Sequence, residues 1–170
     1  MSNETTIPAK ATTPAEQSDS IVVSFGAEWH QQLLSKAFSL VIRKRIPKNS
    51  AFDWLYFHIN SPVGAICGRA KIAEIVSVTQ KEAVALTKQI NLSPAEIKSY
   101  IGGDINIGCY KLGAFEFGRE SVSAAQLATR LIYHPPQSFF ILSKQAKVVV
   151  DDLCGFPSSK AAKSPKGRKP

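Results

Sequence analysis

Six residues from Trp54 to Ile59 run Trp-Leu-Tyr-Phe-His-Ile, and so compact an aromatic and aliphatic run predicts a buried strand. Upstream, Trp29, Leu33 and Leu34 recur near helical spacing among Glu28, His30, Gln31 and Lys36, predicting a short amphipathic helix over 27–37. From 38 to 46 the pattern alternates instead. Phe38, Leu40, Ile42 and Ile46 share one parity and Ser39, Arg43 and Arg45 the other, with Val41 the exception on the polar side. That is the pattern of a half-buried strand whose second face is solvated or meets a ligand. A polar loop over 47–53 separates this strand from the aromatic one, and Asn60-Ser61-Pro62 supplies a turn after it.

The second half alternates strands with short helices. Residues 65–78 predict a long strand with Ile66, Ala70, Ile72, Val76 and Val78 on one face and Arg69 and Lys71 on the other. Gly68 within it marks a bulge or a close backbone approach. Thr79 with Glu82, and Ser93 with Glu96, have capping-box spacing, and Pro94 stands where a first helical residue belongs. Two short helices follow, the second stopped by Gly102-Gly103. Residues 105–117 predict a strand interrupted at Gly113, 123–130 a helical turn presenting Leu127, and 137–142 a last strand. Tyr133-His134-Pro135-Pro136 cannot lie in a central strand, because two prolines remove two backbone donors. No regular βαβ alternation and no internal repeat is present. The expected class is α+β: a small, mostly antiparallel sheet or barrel with short flanking helices.

Composition adds limits. At 170 residues and 44% hydrophobic, the chain suits one globular core. No apolar run reaches the length of a membrane span, and the first residues lack a secretory pattern, so the cytoplasm is the expected location. Cys67, Cys109 and Cys154 are far apart with no paired spacing, so they read as buried or idle thiols, and neither metal nor cofactor is expected. The formal net charge is +8, distributed unevenly. Residues 1–20 carry Glu4, Glu16 and Asp19 against Lys10 and hold few large apolar groups, which predicts a disordered arm. Residues 157–170 carry Lys160, Lys163, Lys166, Arg168 and Lys169 without an acid, which predicts a flexible basic tail. Such a tail either adds salt-sensitive contact to phosphates or only solubilises. The folded domain between, 21–156, keeps a basic excess of its own.

Three segments together resemble a known family: Leu33-Leu34-Ser35 through Arg43-Lys44-Arg45, then 56–68 with Ser61-Pro62-Val63 and Ile66-Cys67-Gly68, then Pro135-Pro136-Gln137-Ser138-Phe139. Their order and spacing are similar to those of ASCH domains, over roughly 22–142. The resemblance implies a PUA-like β-barrel and a nucleic-acid-linked role, RNA before DNA, with some family members acting as ribonucleases or nucleoside amidohydrolases. It also implies a cleft between barrel and helices lined by a Gly-x-Lys-x-x-Glu-x-Arg motif. Here Lys36, Phe38 and Val41 stand where Gly, Lys and Glu are expected, and Arg43 alone keeps its type. No Asp or Glu occurs anywhere from 29 to 51 to rescue the motif. Phenylalanine and valine cannot move protons, so the expectation is a cleft that binds without amide cleavage.

Arg43, Arg45 and Lys48, with Lys44, form the densest basic cluster of the folded part, and guanidinium forks there suit phosphate oxygens. Arg69 and Lys71 share the matching parity of a second strand and are expected to join them. The alternative is a merely solvated strand face. Tyr133 offers a ring for base stacking or else plugs the core, and Gln137 and Ser138 suit base edges or hold their own loop. Ser61 either lines the cleft or only makes a turn, and His58 reads as a structural residue. The leading expectation is a module that binds RNA or a single-stranded or modified nucleotide. A ribonuclease or nucleoside-processing hydrolase using the same cleft is the first alternative. A protein-interaction scaffold is the second.

Overall fold

The computed structural model describes residues 19–48, 51–103 and 106–157. Most of the expected N-terminal arm, and all of the basic tail after Pro157, lie outside the described residues. Strand β1 (Ser20–Phe25) leads into helix α1 (Trp29–Leu34) and strand β2 (Leu40–Arg43). Strands β3 (Trp54–Ile59) and β4 (Ala65–Thr79) follow, then helices α2 (Gln80–Ala85), α3 (Thr87–Ile90) and α4 (Pro94–Ile101). The chain returns through β5 (Asn106–Glu116), β6 (Val122–Ser123), α5 (Ala124–Ala128), β7 (Phe140–Leu142) and α6 (Lys144–Cys154).

Local chemistry sets several of these boundaries. The Glu82 amide donates to Thr79 Oγ1 at 3.2 Å and the Thr79 amide to Glu82 Oε2 at 2.7 Å, closing one capping box. Ser93 and Glu96 repeat it at 3.3 and 2.8 Å, and Ser123 with Gln126 forms a third box, at the start of α5. Gly102 ends α4 at φ 63°, a backbone conformation that strains any residue with a Cβ. Around Gly68 both expected features are present. The β3–β4 register slips between Phe57 and His58, and a Cβ on Gly68 would meet the Phe117 ring at 3.1 Å.

The strands form one seven-stranded sheet in the order β2-β5-β4-β3-β1-β7, with β6 pairing β4. All described pairings are antiparallel except β1 with β3. The expected barrel is not closed: β2 and β7 are the ends of the ladder. Side chains draw the sheet into a curl instead. Phe25 of β1 lies 6.1 Å from Phe38 beside β2, and Ile21, Val23, Leu55, Phe57, Val41, Tyr110 and Leu112 fill the concave side with α1's Leu33. On the convex side two helical groups cover different strands. Helices α5 and α6 bury Val22, Tyr56 and Ile66, while α2 to α4 bury Leu40, Ile42, Val78, Ile107 and Cys109.

This double cover corrects two readings made from alternation. Strand β2 has no solvated face: Leu40 and Ile42 meet the helices while Val41, on the parity expected to be polar, is 4% exposed in the concave core. The apolar residues of β4 also do not share a face, because bulges near Ile72 and Gly68 shift the parity. Ile66 joins the α5–α6 side, Ala70 and Ile72 the concave core, and Val78 the α2–α4 side. Sequence patterning also left out β1 and α6 altogether. The three cysteines are buried, as expected. Burial pushes the Cys109 thiol up to about 11 and the Cys154 thiol to about 12, which keeps both protonated at neutral pH.

Candidate functional site

Arg43 ends β2 where that strand approaches β1, which is not its neighbour in the ladder. Its Nη2 donates to the Ser24 carbonyl at 3.0 Å, its Nη1 to the Ile42 carbonyl at 2.9 Å, and its guanidinium lies 4.4 Å over the Phe25 ring. Burial lowers its pKa, and the neighbouring Tyr100 hydroxyl offsets only part of that, but an arginine remains charged throughout. It is thus a half-buried cation whose hydrogen-bond partners are neutral: two carbonyls and the Tyr100 hydroxyl.

Beyond Arg43 the chain turns outward. Arg43, Lys44 and Arg45, with Tyr100 of α4 and Gln137 and Ser138 from the loop before β7, line a cavity of about 260 Å³. Lys44 Nζ lies 5.8 Å over the Tyr100 ring. A wider groove of about 790 Å³ continues along Lys44, Arg45, Ile46, Pro47 and Lys48 to Ile75 of β4 and Phe139. On the other flank an apolar pocket of about 220 Å³ is walled by Phe25, Trp29, Leu40, Ile42, Ile90 and Leu92 and edged by Arg43, Glu96 and Tyr100. Arg43, Arg45, Lys48, Gln137 and Ser138 therefore lie on one continuous surface. Neither the cavity nor the wide groove has a carboxylate among its described lining residues.

The flanking pocket corrects the expectation of a cleft free of acid. Glu96 reaches its edge from α4, a helix away from the segment where acids are absent. Its Oε2 accepts from both the backbone and the hydroxyl of Ser93, at 2.8 and 2.7 Å. These hydrogen bonds hold the carboxyl below its ordinary pKa, so it is ionised and occupied as a helix cap.

Phe38 and Val41, which stand where the resemblance expects a lysine and a glutamate, are core residues. Phe38 packs against Trp29 at 5.4 Å, Phe115 at 5.8 Å and Phe57 at 6.0 Å, and is 3% exposed. Tyr110, the cross-strand partner of Val41, is fully buried with its hydroxyl unpartnered.

Arg69 and Lys71 do not join Arg43. Arg69 is 2% exposed and faces α6 across the sheet. Its Nε donates to Glu116 at 2.8 Å, its Nη1 to Asp151 at 2.9 Å and to the Tyr56 hydroxyl at 3.1 Å, and its Nη2 to the Pro157 carbonyl at 3.1 Å. Trp54 and Phe156 pack on it at 4.0 and 4.6 Å. Burial opposes its charge, but the Tyr56, Glu116 and Asp151 contacts outweigh this and raise its pKa. So enclosed a guanidinium has no face left for a phosphate. Lys71 is exposed and lies 4.4 Å over the same Trp54 ring.

Tyr133 is a correction of the same kind. It is 3% exposed, its hydroxyl shares a 2.9 Å hydrogen bond with His58 Nδ1, and its ring packs edge-on against Phe140, so no base can stack on it. Ser61 is exposed in the β3–β4 turn and lines none of the three pockets around Arg43. Trp29, Glu96 and Tyr100 are not expected at the site from sequence, which reads Trp29 as a helix residue and Glu96 as a cap. The signal for the last two was their i, i+4 spacing on one amphipathic helix.

No protein-family model matches the sequence, and no curated protein matches it. Solved structures do match. ASCH from Zymomonas mobilis agrees with a TM-score of 0.72 at 22% identity, covering 79% of this chain and 95% of that one. A serine-to-alanine variant of that protein gives 0.74 at 21% identity over 81% and 98%. A tyrosine-to-phenylalanine variant gives 0.72 at 22%. At such identities the likeness is one of backbone, and what it establishes is that this chain has the ASCH-domain fold.

Proposed function

We infer that this protein is a nucleic-acid-binding module that takes single-stranded RNA along the surface running from Lys48 to Trp29. The observation that carries the reading is the joint lining of one cavity by Arg43, Lys44 and Arg45 with Gln137 and Ser138, segments far apart in sequence. Cations for phosphate and neutral donors and acceptors for base edges are the two chemistries single-strand recognition needs. Arg43, Lys44, Arg45 and Lys48 would hold phosphates, Gln137 and Ser138 would meet a base, and the apolar pocket beside Trp29 and Tyr100 would take a flat ring. The basic tail would add salt-sensitive contact.

The test is titration of a labelled single-stranded RNA at several salt concentrations with Arg45→Ala/Lys48→Ala. Losing two phosphate contacts should weaken binding and flatten the log K against log salt slope by about 1.4, since each single-strand contact contributes about 0.7. Unchanged affinity and slope would overturn the assignment. The same titration with single-stranded DNA decides for RNA if it binds more weakly, and against it if it binds equally. Shortening of the RNA during incubation in EDTA would favour the hydrolytic alternative instead.

A further inference from the structure

Residues 134–139 form a loop whose two ends are anchored in one place. Tyr133 and Phe140 belong to the same core cluster, their rings 5.6 Å apart. Pro135 and Pro136 restrict the backbone between them, and Phe139 turns to pack on the concave core. Gln137 and Ser138 are the part that reaches the cavity beside Arg43, Lys44 and Arg45. On the Tyr133 side a buried polar contact ties this loop's entry to the sheet, the hydrogen bond between the tyrosine hydroxyl and His58 Nδ1 on β3. Both residues are buried. With the hydroxyl as donor, His58 must be neutral and carry its proton on Nε2.

The surroundings favour that neutral form. The β1 and β4 neighbours of His58 in the ladder are Ser24 and Ile66, which bear no charge. Behind Tyr133 lies Cys154 of α6, whose thiol stays protonated. Burial lowers the pKa of His58 and raises that of Tyr133, so donor and acceptor keep these roles at neutral pH.

We propose that His58 is a positioning residue: by accepting the Tyr133 hydroxyl it sets where Gln137 and Ser138 stand against Arg43 and Arg45, and so controls affinity for an unpaired base without touching it. This rests on the RNA reading above and extends it to a residue on the far side of the sheet from the ligand.

Three variants test it. Tyr133→Phe keeps the ring and removes the donor, His58→Leu removes the acceptor, and His58→Gln restores an acceptor through its amide oxygen. Each is measured for affinity to a short single-stranded RNA and to an abasic strand of equal length, and the amide NMR shifts of Gln137 and Ser138 are recorded in the free protein. Tyr133→Phe and His58→Leu should move those shifts and weaken RNA binding about five- to tenfold. The abasic strand and the salt slope should be unaffected, and His58→Gln should recover most of the loss. Unmoved shifts, or RNA and abasic affinities falling together, overturn the proposal. If the unmodified protein binds neither strand, the nucleic-acid reading itself fails; if it binds RNA but the loop signals ignore all three variants, only the role of His58 fails.

Discussion

Arg43 and Arg69 are the two arginines drawn into this fold from strands, and their surroundings differ in kind. Arg69 has two carboxylates, a phenol, a carbonyl and two aromatic faces around it, and α6 seals it at 2% exposure. Arg43 has two carbonyls, the Tyr100 hydroxyl and one ring, and it opens onto a cavity lined by further cations. The difference comes from what each face of the sheet is given to pack against. Helix α6 brings Asp151 over one face, whereas the end of β2 meets a loop that offers only an amide and a hydroxyl. A buried charge matched by opposite charges is part of the structure; one matched only by dipoles retains attraction for an anion.

Substituting the two in turn should separate these roles. Arg69→Ala leaves Asp151 and Glu116 uncompensated and should cost about 3–5 kcal/mol in denaturant unfolding. If the fold survives, its RNA salt slope should equal that of the parent. Arg43→Ala should cost less, about 2 kcal/mol from two charge-assisted hydrogen bonds, and should weaken RNA binding in proportion to lost phosphate contact. Equal stability losses in the two variants would erase the contrast. Ser93→Ala, which unties Glu96 at the pocket edge, should cost about 1 kcal/mol in thermal unfolding. Tyr110→Phe should be the mildest, neutral or slightly stabilising in the same assay, because the hydroxyl it removes has no partner.

Acidity offers a further comparison, between the faces rather than the arginines. His58 has a folded-state pKa below its ordinary 6.5, so the unfolded chain binds its proton more readily. Its contribution is complete above about pH 6.5 and is lost as the pH falls through that value toward the folded-state pKa. Denaturant midpoints should therefore drop between about pH 7 and pH 5, and His58→Gln should flatten that part of the profile. The capping carboxylates Glu82 and Glu96, with pKa values lowered by their hydrogen bonds, act only in a more acid range.

What could be read from sequence was what is decided locally. Both capping boxes, the strand at Trp54–Ile59 and the stop at Gly102 depend on neighbours within a few residues, and each is present. Parity failed where a strand is covered twice or bulged, as at Val41 and along β4. The partner that removes Arg69 from solvent is Asp151, 82 positions away on a helix that sequence patterning did not place. The meeting of Arg43 and Arg45 with Gln137 and Ser138 could not come from periodicity, because the two segments are far apart in sequence. Strand β1 escaped notice although it pairs β3 and β7 and supplies the carbonyl that Arg43 holds.

The Pro157 carbonyl gripped by Arg69 has a practical corollary for anyone handling this molecule. Pro157 therefore sits with Arg69 on the face that α6 covers, away from the residues that line the groove. A fluorophore placed at position 157 would leave that groove unobstructed.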